Sequence, residues 1–185
     1  MWAVVGLGNP GRRYADTRHN VGFLFIKEVA RAWDVRVKKM KFQSKTVEVK
    51  RDAESVILAM PQTFMNSSGS AVRELVKGLR LEPERLIIVY DDIDLPLGMI
   101  RVRKDGGPGT HKGMASIVAE LGTNRFPRIR VGIGPEAAGV DIVRYVLSPF
   151  RRSEREGLAE GLDKARQALE LMLAGDVDAA MNRYN

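Results

Sequence analysis

The order of hydrophobic and polar positions along the chain predicts strands that alternate with helices. Short apolar runs are typical of strands, and they occupy residues 2–5, 35–38, 45–50, 55–60, 85–90, 99–104 and 128–134. Helical spacing of apolar residues predicts helices over 21–33, 68–79 (capped by a preceding serine) and 114–121, and from residue 148 onward with a break at Gly175. This alternation predicts a layered α/β domain with a central sheet, with residues 1–185 forming one domain.

The composition limits the class of protein and its expected location and partners. The 185 residues suit a single globular core, and no apolar run approaches the roughly 20 residues of a membrane span. The N-terminus lacks the pattern of an export signal, and the chain has no cysteine, so we expect a cytoplasmic protein without disulfides or thiolate metal sites. The net charge of +7 favours a polyanionic partner.

The first predicted strand runs into a glycine-rich turn, "GLGNPG", at residues 6–11. Its glycine spacing fits a dinucleotide-binding turn, but the segment "RRYADTR" intervenes before the next helix. Pro10 has no N–H for a phosphate, and Glu28 lies inside a predicted helix rather than at the end of a second strand. We therefore interpret the glycines as supplying positive φ angles in a tight turn, which leaves Asn9 and His19 without a role.

Polar residues that follow predicted strands offer such a role. Asn9, Asn66 and Asp91 each come after an apolar strand, and His19 lies just before a helix. Sites in open α/β sheets form beyond the carboxyl ends of parallel strands, so these four residues are expected to meet at one edge. Taken singly, Asn66 has the simpler interpretation of a helix cap, and a lone histidine is more often structural than catalytic.

The four residues form a coherent set for hydrolysis. A neutral imidazole at His19 would take a proton from water, and Asp91 would fix its tautomer and stabilise the imidazolium that forms. Asn9 and Asn66 would hold a carbonyl and a developing oxyanion. The chain has no cysteine and no G-x-S-x-G motif, so direct attack by water is the simpler chemistry.

The acidic segment "DDIDLP" at residues 91–96 has a second interpretation. Asp91, Asp92 and Asp94 offer the oxygen ligands that Mg²⁺ prefers, which would suit a metal-dependent nuclease. Acidic turns before proline are common, however, and Asp92 and Asp94 would then only shape the turn.

Basic residues are concentrated in three groups. Residues 38–51 contain six Lys or Arg against one Glu; the others are Arg101, Arg103, Lys104 and Lys112, and Arg125, Arg128 and Arg130. Any one group could be a solvated face, but the last two flank the loops of the expected site. With little aromatic interleaving, they favour backbone contacts to a folded RNA over base stacking.

The order and spacing of these motifs resemble the bacterial peptidyl-tRNA hydrolase family over nearly the whole chain. The segments that carry the resemblance are "GLGNPG", "TRHNVGF", "PQTFMNSSG", "DDIDLPLGMIRVRKDGGPGTHKGMASI" and "FPRIRVGIG". The resemblance implies a monomeric three-layer α/β/α domain with a mixed, mostly parallel sheet. It also implies an enzyme without metal or other cofactor, and without membrane attachment, that cuts the ester between a peptide and the 3′ ribose of tRNA.

The resemblance also implies roles for individual residues. His19 would be the catalytic base, Asp91 its partner, and Asn9 and Asn66 would position substrate and water. The residues implied in binding the substrate or tRNA are Tyr14, Met65, Asn66, Arg103, His111 and Arg130.

One loop departs from the family. It reads "GTHKG" at residues 109–113, where the family usually has G-G-H-N-G, so Lys112 replaces an asparagine that helps to order substrate or water. A charged lysine cannot accept a hydrogen bond, and we expect Lys112 to contact a phosphate or the tRNA 3′ end instead. Because of this departure, the alternative function remains that of a non-catalytic RNA-binding module with the same fold.

Overall fold

A computed structural model of the chain describes residues 1–51, 54–134, 139 and 141–185. In this part of the chain seven strands form one sheet, in the order β2-β3-β4-β1-β5-β7-β6. The strands are β1 (Trp2–Gly6), β2 (Lys39–Lys41), β3 (Ser44–Arg51), β4 (Glu54–Pro61), β5 (Leu86–Asp92), β6 (Ile100–Arg103) and β7 (Arg128–Gly132). The central strands β4, β1, β5 and β7 are parallel, whereas β2, β3 and β6 pair antiparallel with their neighbours. The mixed, mostly parallel sheet is confirmed.

Helices cover both faces of the sheet and complete the three layers. They are α1 (Val21–Ala32), α2 (Ser68–Leu79), α3 (Lys112–Leu121), α4 (Ile142–Val146), α5 (Arg155–Leu173) and α6 (Val177–Tyr184). Residues of α1, α5 and α6 share one buried cluster with Val4, and α2 and α3 share the other with Ala3 and Val5. Successive strand residues point to opposite faces, so the apolar run of β1 supplies both cores.

Three local predictions were wrong. The predicted strand at 35–38 is not formed, because the Val35 N–H donates to Ala30 O at the end of α1, and β2 begins only at Lys39. The short helix α4 was not predicted, and α5 begins at Arg155 rather than near residue 148. Ser67 occupies the N-cap of α2 without a capping side-chain hydrogen bond, so the expected serine cap is absent there.

The opening turn uses its glycines differently from the prediction. Of its three glycines only Gly11 has a positive φ, of 104°. A Cβ on Gly6 would collide with the backbone of Gly22, and one on Gly8 would lie 2.7 Å from the Phe23 ring. Gly6 and Gly8 therefore allow α1 to pack closely on the end of β1, which brings His19, two residues before the helix, to the sheet edge.

In the described residues, no helix combines the length and hydrophobicity needed to cross a membrane.

Candidate active site

A cleft of about 600 Å³ opens at the carboxyl ends of the parallel strands. Each predicted site residue lines it: Asn9, Tyr14, His19, Met65, Asn66, Asp91, Arg103, His111, Lys112 and Arg130. These residues come from the loops after β1 and β4, from strands β5, β6 and β7, and from the start of α3. The topology thus brings together residues that lie as far apart as positions 9 and 130.

His19 and Asp91 form a close pair inside the cleft. His19 Nδ1 lies 2.9 Å from Asp91 Oδ1 and 3.0 Å from Oδ2. A carboxylate accepts but does not donate, so the imidazole carries its proton on Nδ1. Nε2 then presents a lone pair, which is the form of histidine that takes a proton from water.

His111 contacts the same carboxylate. Its Nε2 lies 2.9 Å from Asp91 Oδ1, and its Nδ1 accepts the Met114 N–H at 3.2 Å as the N-cap of α3. A ring nitrogen that accepts a backbone N–H carries no proton itself, so the His111 proton resides on Nε2 and points at Asp91. Asp91 is therefore oriented by two imidazole donors, a contact that the sequence did not predict.

The charge state of Asp91 follows from these neighbours. Burial favours the neutral acid and raises the pKa of this carboxyl, which is only 4% exposed. The charge and hydrogen bonds of His111 and His19 act in the opposite direction and hold the pKa well below its usual range. Asp91 thus stays ionised near neutral pH and can stabilise an imidazolium at His19.

Backbone hydrogen bonds fix the amide of Asn9. Its Oδ1 accepts the Met65 N–H at 2.8 Å, and Asn20 pairs with both the N–H and the C=O of Asn9 at 2.9 Å. Because Oδ1 is used by a backbone donor, the NH₂ group is the part of this side chain that remains to donate in the cleft. Asn20 was missed by the sequence analysis, although a polar residue next to His19 and before a helix was a signal for it.

The loop after β4 carries Met65 and Asn66 in a short 3₁₀ turn. Phe64, which precedes the turn, has φ 60° and ψ 160°, a region that residues other than glycine rarely adopt. Met65 is buried, whereas Asn66 is exposed on the cleft wall. Since Ser67 occupies the N-cap of α2, the structure does not support Asn66 as the cap of that helix.

The basic residues divide into surface and buried groups. Arg130 lies 2.8 Å from Asp92 and lines the cleft together with the half-buried Arg103. Arg128 is buried and donates to the carbonyls of Gly106 and Asn124, so it anchors the glycine-rich loop. Its inclusion in a surface group with Arg130 was therefore wrong.

Three aspartates do not assemble into a metal site in the described structure. Asp92 pairs with Arg130 and accepts the Asp94 N–H, while Asp94 itself is exposed. The ligand atoms that do cluster, within 4.8 Å of one another, belong to His19, Asp91 and His111. A metal ion on His111 Nε2 would require the ring proton on Nδ1, where it would face the Met114 N–H, so the hydrogen bonding disfavours a metal there.

Arg18 anchors the segment next to His19. Its guanidinium is 2% exposed, pairs with both carboxylate oxygens of Glu154 at 2.6 and 2.8 Å, and donates to Ser148 Oγ at 2.7 Å. It also stacks 4.4 Å from the ring centre of Tyr145 in α4. Arg18 thereby fixes the α4 segment, whose apolar residues Ile142, Val143, Val146 and Leu147 form one wall of the cleft.

We expect Arg18→Ala to destabilise the protein by about 3–5 kcal/mol, because it leaves the Glu154 carboxylate partly buried without its partner. The shift of the urea midpoint measures this loss. Arg31→Ala is the matched control, because the Arg31–Glu28 pair lies on an exposed helix surface, where an ion pair contributes little to stability. Equal midpoint shifts in the two variants would contradict the anchoring role.

The fold and the site together define a class of protein: a three-layer α/β protein with a histidine–aspartate pair at the carboxyl edge of its sheet. A family model described as peptidyl-tRNA hydrolase matches residues 3–185. The chain belongs to the peptidyl-tRNA hydrolase family.

Individual relatives agree along the whole chain. The peptidyl-tRNA hydrolase of Alkaliphilus metalliredigens is 45% identical, with all of both chains covered. That of Chloroflexus aurantiacus is also 45% identical, covering 100% of this chain and 99% of the relative. The crystal structure of peptidyl-tRNA hydrolase from Acinetobacter baumannii has a TM-score of 0.92 at 34% identity, covering 100% of this chain and 96% of that one. The resemblance drawn from the motifs is confirmed.

Proposed function

We propose that this protein hydrolyses the ester between a peptide, or an N-blocked aminoacyl group, and the 3′ ribose of tRNA. The observation that carries the proposal is the His19–Asp91 pair, whose remaining imidazole nitrogen stands in a cleft shared with Asn9 and Asn66. Such a substrate arises when peptides leave the ribosome prematurely, so its hydrolysis recycles tRNA. We further propose a cytoplasmic monomer in which residues 1–185 form one domain.

The reaction begins with proton transfer from water to His19 Nε2. As that proton leaves, the water oxygen attacks the ester carbonyl carbon, and the carbonyl becomes an oxyanion. Asp91 stabilises the imidazolium without taking its proton. The Asn9 NH₂ group and the exposed Asn66 amide donate to the oxyanion and position the carbonyl.

Collapse of the tetrahedral intermediate completes the cycle. The carbonyl re-forms, the bond to the ribose oxygen breaks, and His19 returns its proton to that oxygen. The products are a peptide acid and a tRNA with a free terminal hydroxyl, and His19 is again neutral. The transferred proton therefore moves from water to the imidazole and from there to the ribose oxygen, and the carboxylate stays ionised throughout.

Different walls of the cleft are proposed to contact different parts of the substrate. Met65 and the apolar wall of α4 form a hydrophobic surface that suits apolar parts of the peptide. Tyr14 offers an aromatic face near the tRNA 3′ end, and Lys112, at the first position of α3, offers a charge for a terminal phosphate. Arg103 and Arg130 supply further positive charge for the acceptor end, and His111 acts through Asp91.

Hydrolysis of N-acetylaminoacyl-tRNA tests the function directly. We expect release of the N-acetylamino acid and of intact tRNA at an unchanged rate in excess EDTA, because every proposed step uses side chains of this chain. Acid precipitation measures the ester, and denaturing electrophoresis measures the tRNA. Absence of turnover would favour an RNA-binding module, and shortened RNA with EDTA-sensitive activity would favour a metal-dependent nuclease.

A further inference from the structure

The β2–β3 hairpin carries a basic surface that the site does not use. We define the hairpin patch as Lys38, Lys39, Lys41 and Lys45, all of which are exposed. Within the described ranges, none of the four is ion-paired with a carboxylate, and the Lys41 ammonium lies 4.5 Å from the centre of the Phe42 ring. By contrast, Arg130 in the cleft already pairs with Asp92.

Strand register places this patch at the edge of the sheet where the cleft opens. Ser44 of β3 pairs with Pro61, the last residue of β4, and the Gln62 N–H donates to Gln43 O at 2.8 Å. The hairpin turn therefore lies beside the loop that carries Met65 and Asn66. The sheet order puts β2 four strand spacings from β5, so the patch stands about 19 Å to the side of Asp91.

The turn is held rigidly against α2. Gln43 Nε2 donates to Glu74 at 2.7 Å, and Ser70 Oγ donates to Gln43 Oε1 at 3.1 Å. The Phe42 ring packs directly on Gly78 of the same helix. The hairpin that carries the charges is thus already ordered, so binding a partner costs little conformational entropy.

We propose that the hairpin patch contacts the sugar–phosphate backbone of the tRNA body while the ester lies in the cleft. This inference rests on the proposed function, because it assigns the substrate's RNA body to a second surface. Unpaired lysines complement phosphates, and folded RNA is recognised mostly through its backbone and shape. Lysines on an edge strand also prevent strand pairing between molecules, but that role gives no dependence on RNA.

Assays on two substrates distinguish the contribution of the hairpin patch from that of the cleft. The double variant K41Q/K45Q removes the two charges nearest the turn. The matched control K27Q/K50Q removes two exposed lysines that form no ion pair with a described residue, one on α1 and one at the far end of β3. Each protein is assayed on N-acetylaminoacyl-tRNA and on the N-acetylaminoacyl ester of a CCA trinucleotide, which lacks the RNA body.

We expect K41Q/K45Q to lose on the order of tenfold in kcat/KM on the whole tRNA, mainly through KM, and nothing on the trinucleotide. Its plot of log kcat/KM against log salt should be shallower than that of wild type by about 1.4–1.8, or about 0.7–0.9 for each lost phosphate contact. The control should match wild type on both substrates, and K41R/K45R should restore the activity on whole tRNA.

Two results would overturn the inference: equal activity of K41Q/K45Q and the control on whole tRNA, or an equal loss by K41Q/K45Q on both substrates. The first result would mean that the lysines only protect the edge strand from pairing with another molecule. The second would mean that the substitutions damage the cleft. Failure of the wild-type protein on both substrates would instead contradict the proposed function, so the two failures are distinguishable.

Discussion

His19→Ala is expected to reduce turnover of N-acetylaminoacyl-tRNA by about 10²–10⁴-fold, because the His19 imidazole is the proposed acceptor of the water proton. His19 is largely buried and held by Asp91, so its imidazole contributes little to the attraction of RNA. Binding of uncharged tRNA should therefore stay within about twofold of wild type. Single-turnover hydrolysis and filter binding measure the two quantities separately.

The surface variant Lys27→Gln serves as the control for handling and folding. It is expected to match wild type in both measurements, because Lys27 is exposed on α1 and forms no ion pair in the described structure. Hydrolysis by His19→Ala at the wild-type rate would reject the imidazole as the base. Loss of tRNA binding together with turnover would instead show that His19 supports the structure of the cleft.

Asp91→Asn is expected to lower kcat by about 10²–10⁴-fold with little change in KM. The amide NH₂ would take the place of an oxygen that now lies close to His19 Nδ1, so the Nδ1 proton would lose an acceptor or move to Nε2. In the second case Nε2 has no lone pair for the water proton. In both cases the negative charge that stabilises the imidazolium is gone.

Asp94→Asn is the matched control, since it makes the same chemical change in an exposed residue three positions away. It is expected to keep wild-type kcat, because Asp94 does not contact either histidine. The comparison also tests the metal hypothesis, in which Asp94 would be a ligand. Similar losses in the two variants would contradict the specific role of Asp91. They would favour a shared role for the aspartates of the acidic segment.

The strands that carry the site could be predicted from the local pattern of apolar residues. The apolar runs at 2–5, 55–60 and 85–90 are typical of strands, and the polar residues after them are expected to lie where those strands end. Because parallel strands end at the same edge, Asn9, Asn66 and Asp91 were expected to meet there. Each of these inferences depends on local pattern, which reports burial within a short segment.

The contacts between individual atoms of the site depend on how distant segments pack together. The second imidazole on Asp91 lies 20 residues away, the backbone donor to Asn9 lies 56 residues away, and the carboxylate on Arg18 lies 136 residues away. The periodicity of a segment holds no information about such partners. Arg128 illustrates the same limit, because in the sequence it resembles its exposed neighbours, and only the loop that folds over it supplies the carbonyls that make its burial favourable.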